Sequence, residues 1–154
     1  MKKISTYGIK YTGSKLKIIP HIVSLVSELT DVKTVLDGFS GTTRVSQAFA
    51  QLGYHTTASD ISMWSDVVAN CFLKSSKDDA FYQEIIDYLN SLKGYDGWYT
   101  EYYGSDSASA KRPFQSKNTR KLDSIRDEIE KLNLDWIDKS VLLTSLIFGL
   151  DKVD

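Results

Sequence analysis

Cysteine, proline, histidine and long apolar runs are all scarce in this chain, and each shortage narrows what it can be. One cysteine among 154 residues, Cys71, rules out an internal disulfide and fits a reducing cytoplasm. The two histidines, His21 and His55, are too isolated to suggest a metal site, so no metal is expected. No apolar run is long enough to span a bilayer, so no membrane partner is expected. Met1-Lys2-Lys3 is not followed by an apolar signal core, so the expected location is cytoplasmic. The two prolines, Pro20 and Pro113, are not adjacent.

What is present is ordinary in bulk. A hydrophobic content of 42% and a charged content of 25% describe a globular domain with its own core. Nineteen basic and twenty acidic residues leave a net charge of −1, which does not by itself announce a nucleic-acid binder. The basic residues are nevertheless grouped. Lys2, Lys3, Lys10, Lys15 and Lys17 form one group, and Lys111, Arg112, Lys117, Arg120 and Lys121 form another.

Apolar spacing predicts a helix over residues 16–29, with Pro20 tolerated near its start. Buried strands are expected at 34–36 and 55–59, with a helix over 45–52 between them. Further helices are expected at 65–73, at 79–92 capped by Asp78-Asp79, at 120–132, and from 139 to about 150 capped by Asp138. Residues 94–117 read as loop-rich. Only two strands are evident, and two parallel strands cannot cover several helices. The last helix is apolar nearly all round. The expected fold is therefore α/β and incomplete on its C-terminal side. An open sheet edge and the apolar face of Val141, Leu142, Leu146 and Leu150 would call for a partner, such as the missing part or a second copy of the chain.

The segment Val35-Leu36-Asp37-Gly38-Phe39-Ser40-Gly41-Thr42-Thr43 carries the chemistry. A short apolar run ends in a carboxylate, a glycine loop follows, and a helix begins. Asp60 ends the next β-leaning run, 23 residues after Asp37. That spacing places Asp60 to accept hydrogen bonds from two ribose hydroxyls. A carboxylate at Asp37 would repel a pyrophosphate and attract a cation. S-adenosylmethionine has a sulfonium, an amino group and ribose hydroxyls, and so fits both acids.

These residues resemble the N-terminal half of the D12-class, Dam-like DNA adenine-N6 methyltransferases of restriction-modification systems. Tyr11-Thr12-Gly13-Ser14-Lys15 resembles the family's N-terminal cofactor motif. Asp37-Gly38-Phe39-Ser40-Gly41-Thr42 resembles its glycine loop, and Ser59-Asp60-Ile61 its second cofactor motif. Residues 97–103 and 118–130 resemble the insert before its catalytic strand. The resemblance implies a Rossmann-like fold with S-adenosylmethionine as cofactor and double-stranded DNA as partner. It implies that Lys15 pairs with the cofactor's carboxylate, while Tyr11, Gly13 and Ser14 frame its methionine end. Asp37 and the backbone of Phe39, Ser40 and Gly41 would hold the amino group, Gly38 and Thr42 would belong to the same cofactor-binding loop, Asp60 would take the ribose hydroxyls, and Ile61 would pack on the adenine.

The chain departs from the family in two places. Thr43 stands where many methyltransferases have another small residue. The catalytic Asp-Pro-Pro-Tyr motif is absent, so no catalytic residue is assigned. Cys71 follows Asn70 rather than a proline and reads as an inert thiol. Tyr95, Trp98, Tyr99, Tyr102 and Tyr103 lie near Lys111, Arg112, Lys117 and Arg120. Such a set can neutralise phosphates and stack on bases, or its rings can pack on the helices. The expected division is a cofactor-binding part at 1–93 and a DNA-contacting insert at 94–154. The rival reading is a non-catalytic module that binds S-adenosylmethionine or DNA.

Overall fold

The computed structural model of the chain describes residues 4–9, 13–107 and 111–153. They form two compact units, Met1–Ser75 and Ser76–Asp154.

In the first unit a 3-10 turn, Lys15–Ile18, leads into α1, Ile19–Ser27. Pro20 occupies the start of α1, where a missing N–H leaves no bond unmade. Then come β1 (Thr34–Asp37), α2 (Arg44–Gln51), β2 (His55–Ala58) and α3 (Met63–Lys74). β1 and β2 pair in parallel, Thr34 opposite His55 and Asp37 opposite Ala58. A parallel pair needs a crossover, and α2 supplies it. Gly53 ends that crossover at φ 89°, a left-handed turn that favours glycine. Ile19, Val23, Ala48 and Phe49 form the core, with Tyr54 edge-on to Phe49 at 5.3 Å. Burying each larger side chain contributes about 1.5–3 kcal/mol.

β1 is not the fully buried strand expected. Leu36 is 70% exposed, because helical packing covers only the alternate face that carries Val35.

The second unit contains α4 (Asp79–Ser91), α5 (Trp98–Tyr103), β3 (Gly104–Ser105), β4 (Phe114–Gln115), α6 (Ser116–Lys131) and α7 (Trp136–Leu150). β3 and β4 form a second short parallel pair. Among the described residues four strands are thus present where two were expected, and α5 stands inside the segment read as loop. Tyr82, Leu89, Ile125, Ile129 and Leu142 form the core. This core explains why the units divide at Ser75/Ser76 rather than at 93/94: α4 supplies two of its five residues. Asp78 caps α4 as expected, accepting the Phe81 N–H at 2.9 Å. The cap of α7 is Asp135, not Asp138. Asp135 accepts the Asp138 N–H at 2.8 Å, while Asp138 is buried and accepts Tyr82 Oη at 2.8 Å and Lys77 Nζ. Leu142 is buried against α4 and α6, so the apolar face of α7 is covered at its centre.

Both units place short parallel strands among helices, the α/β class expected. Among the described residues no helix is long and apolar enough to cross a membrane, and no cluster of metal-ligating side chains occurs.

Candidate functional site

β1 stops at Asp37 because the loop after it turns back on itself. Gly41 lies at φ 49° and Thr43 at φ 58°, both left-handed. The first is ordinary for glycine. The second is unfavourable for a β-branched residue by about 1–2 kcal/mol. Thr43 is held there by bonds on both sides and is fully buried. Its N–H donates to Ser40 O at 2.7 Å, its carbonyl accepts the Gln47 N–H at 2.8 Å, and its hydroxyl accepts Gln47 Nε2 at 3.1 Å.

The parallel ladder runs on past the strands through Ser59 N to Asp37 O at 2.9 Å and Ser40 N to Ser59 O at 3.0 Å. That extension brings Asp60 against the glycine loop. One Asp60 oxygen accepts the Gly41 N–H at 2.8 Å and the other the Ser62 N–H at 3.0 Å, at the start of α3. The Ser62 N–H, and after it the Gly41 N–H, hold this carboxyl below its ordinary range. The carboxylate is exposed and can accept further bonds. From the other side Lys15 Nζ reaches Phe39 O at 3.1 Å.

Gly13, Ser14, Lys15, Phe39, Ser40, Gly41, Thr42 and Asp60 therefore line one cavity of about 200 Å³. Three expected residues are placed differently. Asp37 is buried and accepts the Ser46 hydroxyl at 2.7 Å, so its carboxylate backs the loop. Gly38 does not line the cavity, and Ile61 is fully exposed beside Asp60. Tyr11 lies outside the described residues. Two lining residues were missed, Arg44 and Val45. Arg44 had a signal: a cation in the first turn of a helix opposes the helix dipole. A larger cavity of about 880 Å³, against Ile19, Val23 and Tyr54, holds no carboxylate, cation or imidazole and so offers no such chemistry.

In the second unit the expected basic cluster is not a row of free cations. Arg112 donates to the carbonyls of Glu101 at 2.5 Å and Gly104 at 2.9 Å, at the C-terminal end of α5. Arg120 pairs with Asp96 at 2.6 Å, and Lys121 donates to the carbonyls of Asn90 and Leu92. Lys111 and Lys117 are exposed. The rings of α5 chiefly pack on one another: Trp98 lies 5.0 Å from Tyr99, 5.1 Å from Tyr102 and 5.5 Å from Tyr103. Trp98, Tyr102 and Tyr103 stay exposed.

Asp123 of α6, which sequence reasoning also missed, holds the other end of α5. It accepts the N–H groups of Gly97 at 3.1 Å, Tyr99 at 2.9 Å and Thr100 at 2.9 Å, and the Thr100 hydroxyl at 2.7 Å. Gly97 is required at that contact, since a Cβ there would lie 2.6 Å from Asp123 Cγ. A six-residue helix is thus held by an anion at its N-terminus and a cation near its C-terminus, the favourable order for its dipole.

A family model for the D12 class of N6 adenine-specific DNA methyltransferases matches residues 11–154. The chain belongs to that family. Among characterised relatives it is 29% identical over 154 residues to the type II methyltransferase M.NlaIII of Neisseria lactamica, covering 94% of this chain and 46% of that protein. It is 28% identical over 144 residues to the modification methylase StsI of Streptococcus sanguinis, covering 87% of this chain and 21% of that protein. The chain thus spans about half the length of the first relative and about a fifth of the second. No solved structure matches it.

For a D12-class chain the methyl donor implied is S-adenosylmethionine. The cavity suits its polar parts. Lys15 and Arg44 bring positive charge to its lining, which the accessible Asp60 carboxylate completes. Phe39 and Ile61 are exposed apolar side chains flanking that carboxylate's loop, available to a planar base. Asp37 fits less directly, because the Ser46 hydroxyl already occupies one of its oxygens.

Proposed function

We propose that the chain is the cofactor-binding part of a site-specific DNA adenine-N6 methyltransferase of a restriction-modification system, working in the cytoplasm on double-stranded DNA. The observation that carries this reading is the convergence of Lys15, the glycine loop and Asp60 on one cavity. The loop reaches Asp60 through its own backbone N–H, so loop and carboxylate form one rim. In this reading Lys15 takes the carboxylate of S-adenosylmethionine, Asp60 takes the ribose hydroxyls, and Ile61 and Phe39 lie along the adenine. Gly13, Ser14 and the 38–42 loop shape the methionine end, with Tyr11 beside them. Asp37 orders the loop through Ser46 and is the nearest acid for the amino group. Bound S-adenosylmethionine supplies an electrophilic methyl group.

The adenine amine is a weak nucleophile because its lone pair is delocalised into the ring. It needs a carboxylate and a carbonyl to accept its hydrogens as charge develops. No Asp-Pro-Pro-Tyr sequence occurs in the chain to provide them. In the second unit the exposed rings of α5 and the exposed Lys111 and Lys117 are the groups best placed to meet DNA. Arg112 supports them by holding the carbonyls of Glu101 and Gly104, and Arg120 by pairing with the Asp96 carboxylate.

Calorimetric titration with S-adenosylhomocysteine tests the first half of this reading. Wild type should bind, and Asp60→Ala should lose about 1–3 kcal/mol through the missing charged hydrogen bonds to ribose. Equal affinity in the two proteins would refute the site. The alternative reading is a non-catalytic module that binds cofactor or DNA. Under either reading the purified chain should not transfer tritiated methyl groups to DNA. Transfer above a protein-free control would show that the missing motif is not needed.

A further inference from the structure

Arg44 stands at the first position of α2 with the charge sign that a helix N-terminus disfavours. It forms no ion pair among the described residues. One terminal nitrogen donates to Thr6 O at 2.7 Å and to the Thr6 hydroxyl at 3.4 Å, and the other donates to Gly8 O. Its Nε is buried without a partner among the described residues. These neutral acceptors orient the guanidinium but leave its charge uncompensated, and a guanidinium does not discharge by losing its proton.

Gln47 and Gln51 follow Arg44 on the same face of α2, at helical spacing. Gln47 accepts the Tyr7 N–H at 2.8 Å and donates to Tyr7 O at 3.0 Å. Gln51 does the same for Ser5, at 3.2 Å and 2.5 Å. Each amide thus meets one residue's N–H and C=O together, and the two residues alternate as they would beside a neighbouring strand. The segment at 5–8 is pinned to α2 in this way. It leads towards Gly13, Ser14 and Lys15, one wall of the cavity. The other wall, 39–42, runs directly into Arg44. Gly8 packs against both Arg44 and the glycine loop: a Cβ there would lie 3.0 Å from Arg44 Nε and 3.2 Å from Thr42 Cβ, and Arg44 lines the cavity together with Lys15 and Thr42.

We propose that Arg44 is a positioning residue for the amino-acid end of the cofactor, holding the Lys15 wall in register with the glycine loop and adding a second positive charge beside Lys15. The proposal rests on the cofactor reading above. It explains the cation in the first turn of α2: an anionic group entering between Lys15 and Arg44 supplies the charge that neither has found among the described residues.

The test compares two ligands that share a nucleoside thioether and differ in the amino-acid end, S-adenosylhomocysteine and 5′-methylthioadenosine. Dissociation constants are measured for wild type, Arg44→Lys and Gly8→Ala. Arg44→Lys keeps the charge and loses the fork. It should weaken S-adenosylhomocysteine about tenfold and change methylthioadenosine by no more than about twofold. Gly8→Ala presses a methyl group on the guanidinium. It should show the same selectivity with a smaller loss, about threefold, and it decides the matter if Arg44→Lys does not fold. Equal weakening of both ligands, or no weakening of either, would overturn the role of Arg44 while leaving the cofactor site intact. A wild-type protein that binds neither ligand would overturn the cofactor reading and this proposal with it.

Discussion

Asp60 in the first unit and Asp123 in the second are both aspartates that gather backbone N–H groups at the start of a helix. They differ in what is left over. Asp60 is exposed and accepts one N–H on each oxygen, from Gly41 and Ser62. Asp123 is 4% exposed and takes three N–H groups and a hydroxyl, so its accepting capacity is used within the unit. The cations divide similarly. Arg112 meets the carbonyls of Glu101 and Gly104 at the C-terminal end of α5, where the helix dipole favours a cation, whereas Arg44 stands at the first residue of α2, where the dipole disfavours one, beside a cavity. A charged residue near a helix end thus signals a ligand site only when its bonding capacity is not already filled. Motif reading does not see that distinction.

The two cores set the scale for breaking the comparison. Phe49→Ala in the first unit should cost about 3–5 kcal/mol of stability, since Phe49 is 2% exposed and the cavity left behind cannot collapse fully. Urea denaturation measures it. A loss below about 1 kcal/mol would mean the first unit is not organised around α2.

Asp123→Ala should come next, at about 2–4 kcal/mol, because the N–H groups at the start of α5 lose their acceptor. Near-ultraviolet circular dichroism from the Trp98 cluster should weaken with it. Cofactor affinity should stay within about twofold if Asp123 is purely structural. Asp60→Ala should show the reverse pattern. It should cost less than about 1 kcal/mol of stability, as expected for an exposed hydrogen-bonded carboxylate, while cofactor affinity falls. Interchanged phenotypes for these two variants would defeat the comparison.

The smallest effects should come from pH, with opposite signs in the two units. The Ser62 and Gly41 N–H groups favour ionised Asp60, so its folded-state pKa lies below the unfolded value. Its stabilisation is present above the ordinary aspartate value, near ~3.9, and is lost as pH falls through the folded-state value. Cofactor affinity carried by Asp60 should therefore be flat from about pH 8 to about pH 5. In the second unit the hydrogen bond to Asp127 raises the Tyr95 pKa. That contribution is present below the ordinary tyrosine value, near ~10, and is lost as pH rises through the raised value. Tyr95→Phe should remove this part of the alkaline limb in a pH-stability profile. An unchanged limb would show that the bond contributes nothing measurable.

Much of the first unit was legible because its logic is local. A β-branched and apolar run, a glycine loop and an amphipathic helix ending in Gly53 must form strand, turn and helix in that order. A parallel return then puts Asp60 beside the loop that starts at Asp37. Helices α4, α6 and α7 of the second unit were legible from their 3.6-residue period, though the six-residue α5 was hidden in a segment read as loop and the cap of α7 was misplaced by one turn. Asp135 and Asp138 are chemically alike, and only the positions of Tyr82 and Lys77 show which of them is buried.

Tertiary structure decided the rest. Gln51 meets Ser5 across 46 residues, Arg44 meets Thr6 across 38, and Asp123 meets Gly97 across 26. Such bonds from side chain to backbone follow no period, and their backbone partners carry no side-chain identity to read. The order and type of the elements follow from local sterics and apolar periodicity. Which charges are spent inside the fold, and which are left for a ligand, depends on distances that exist only once the chain has closed on itself.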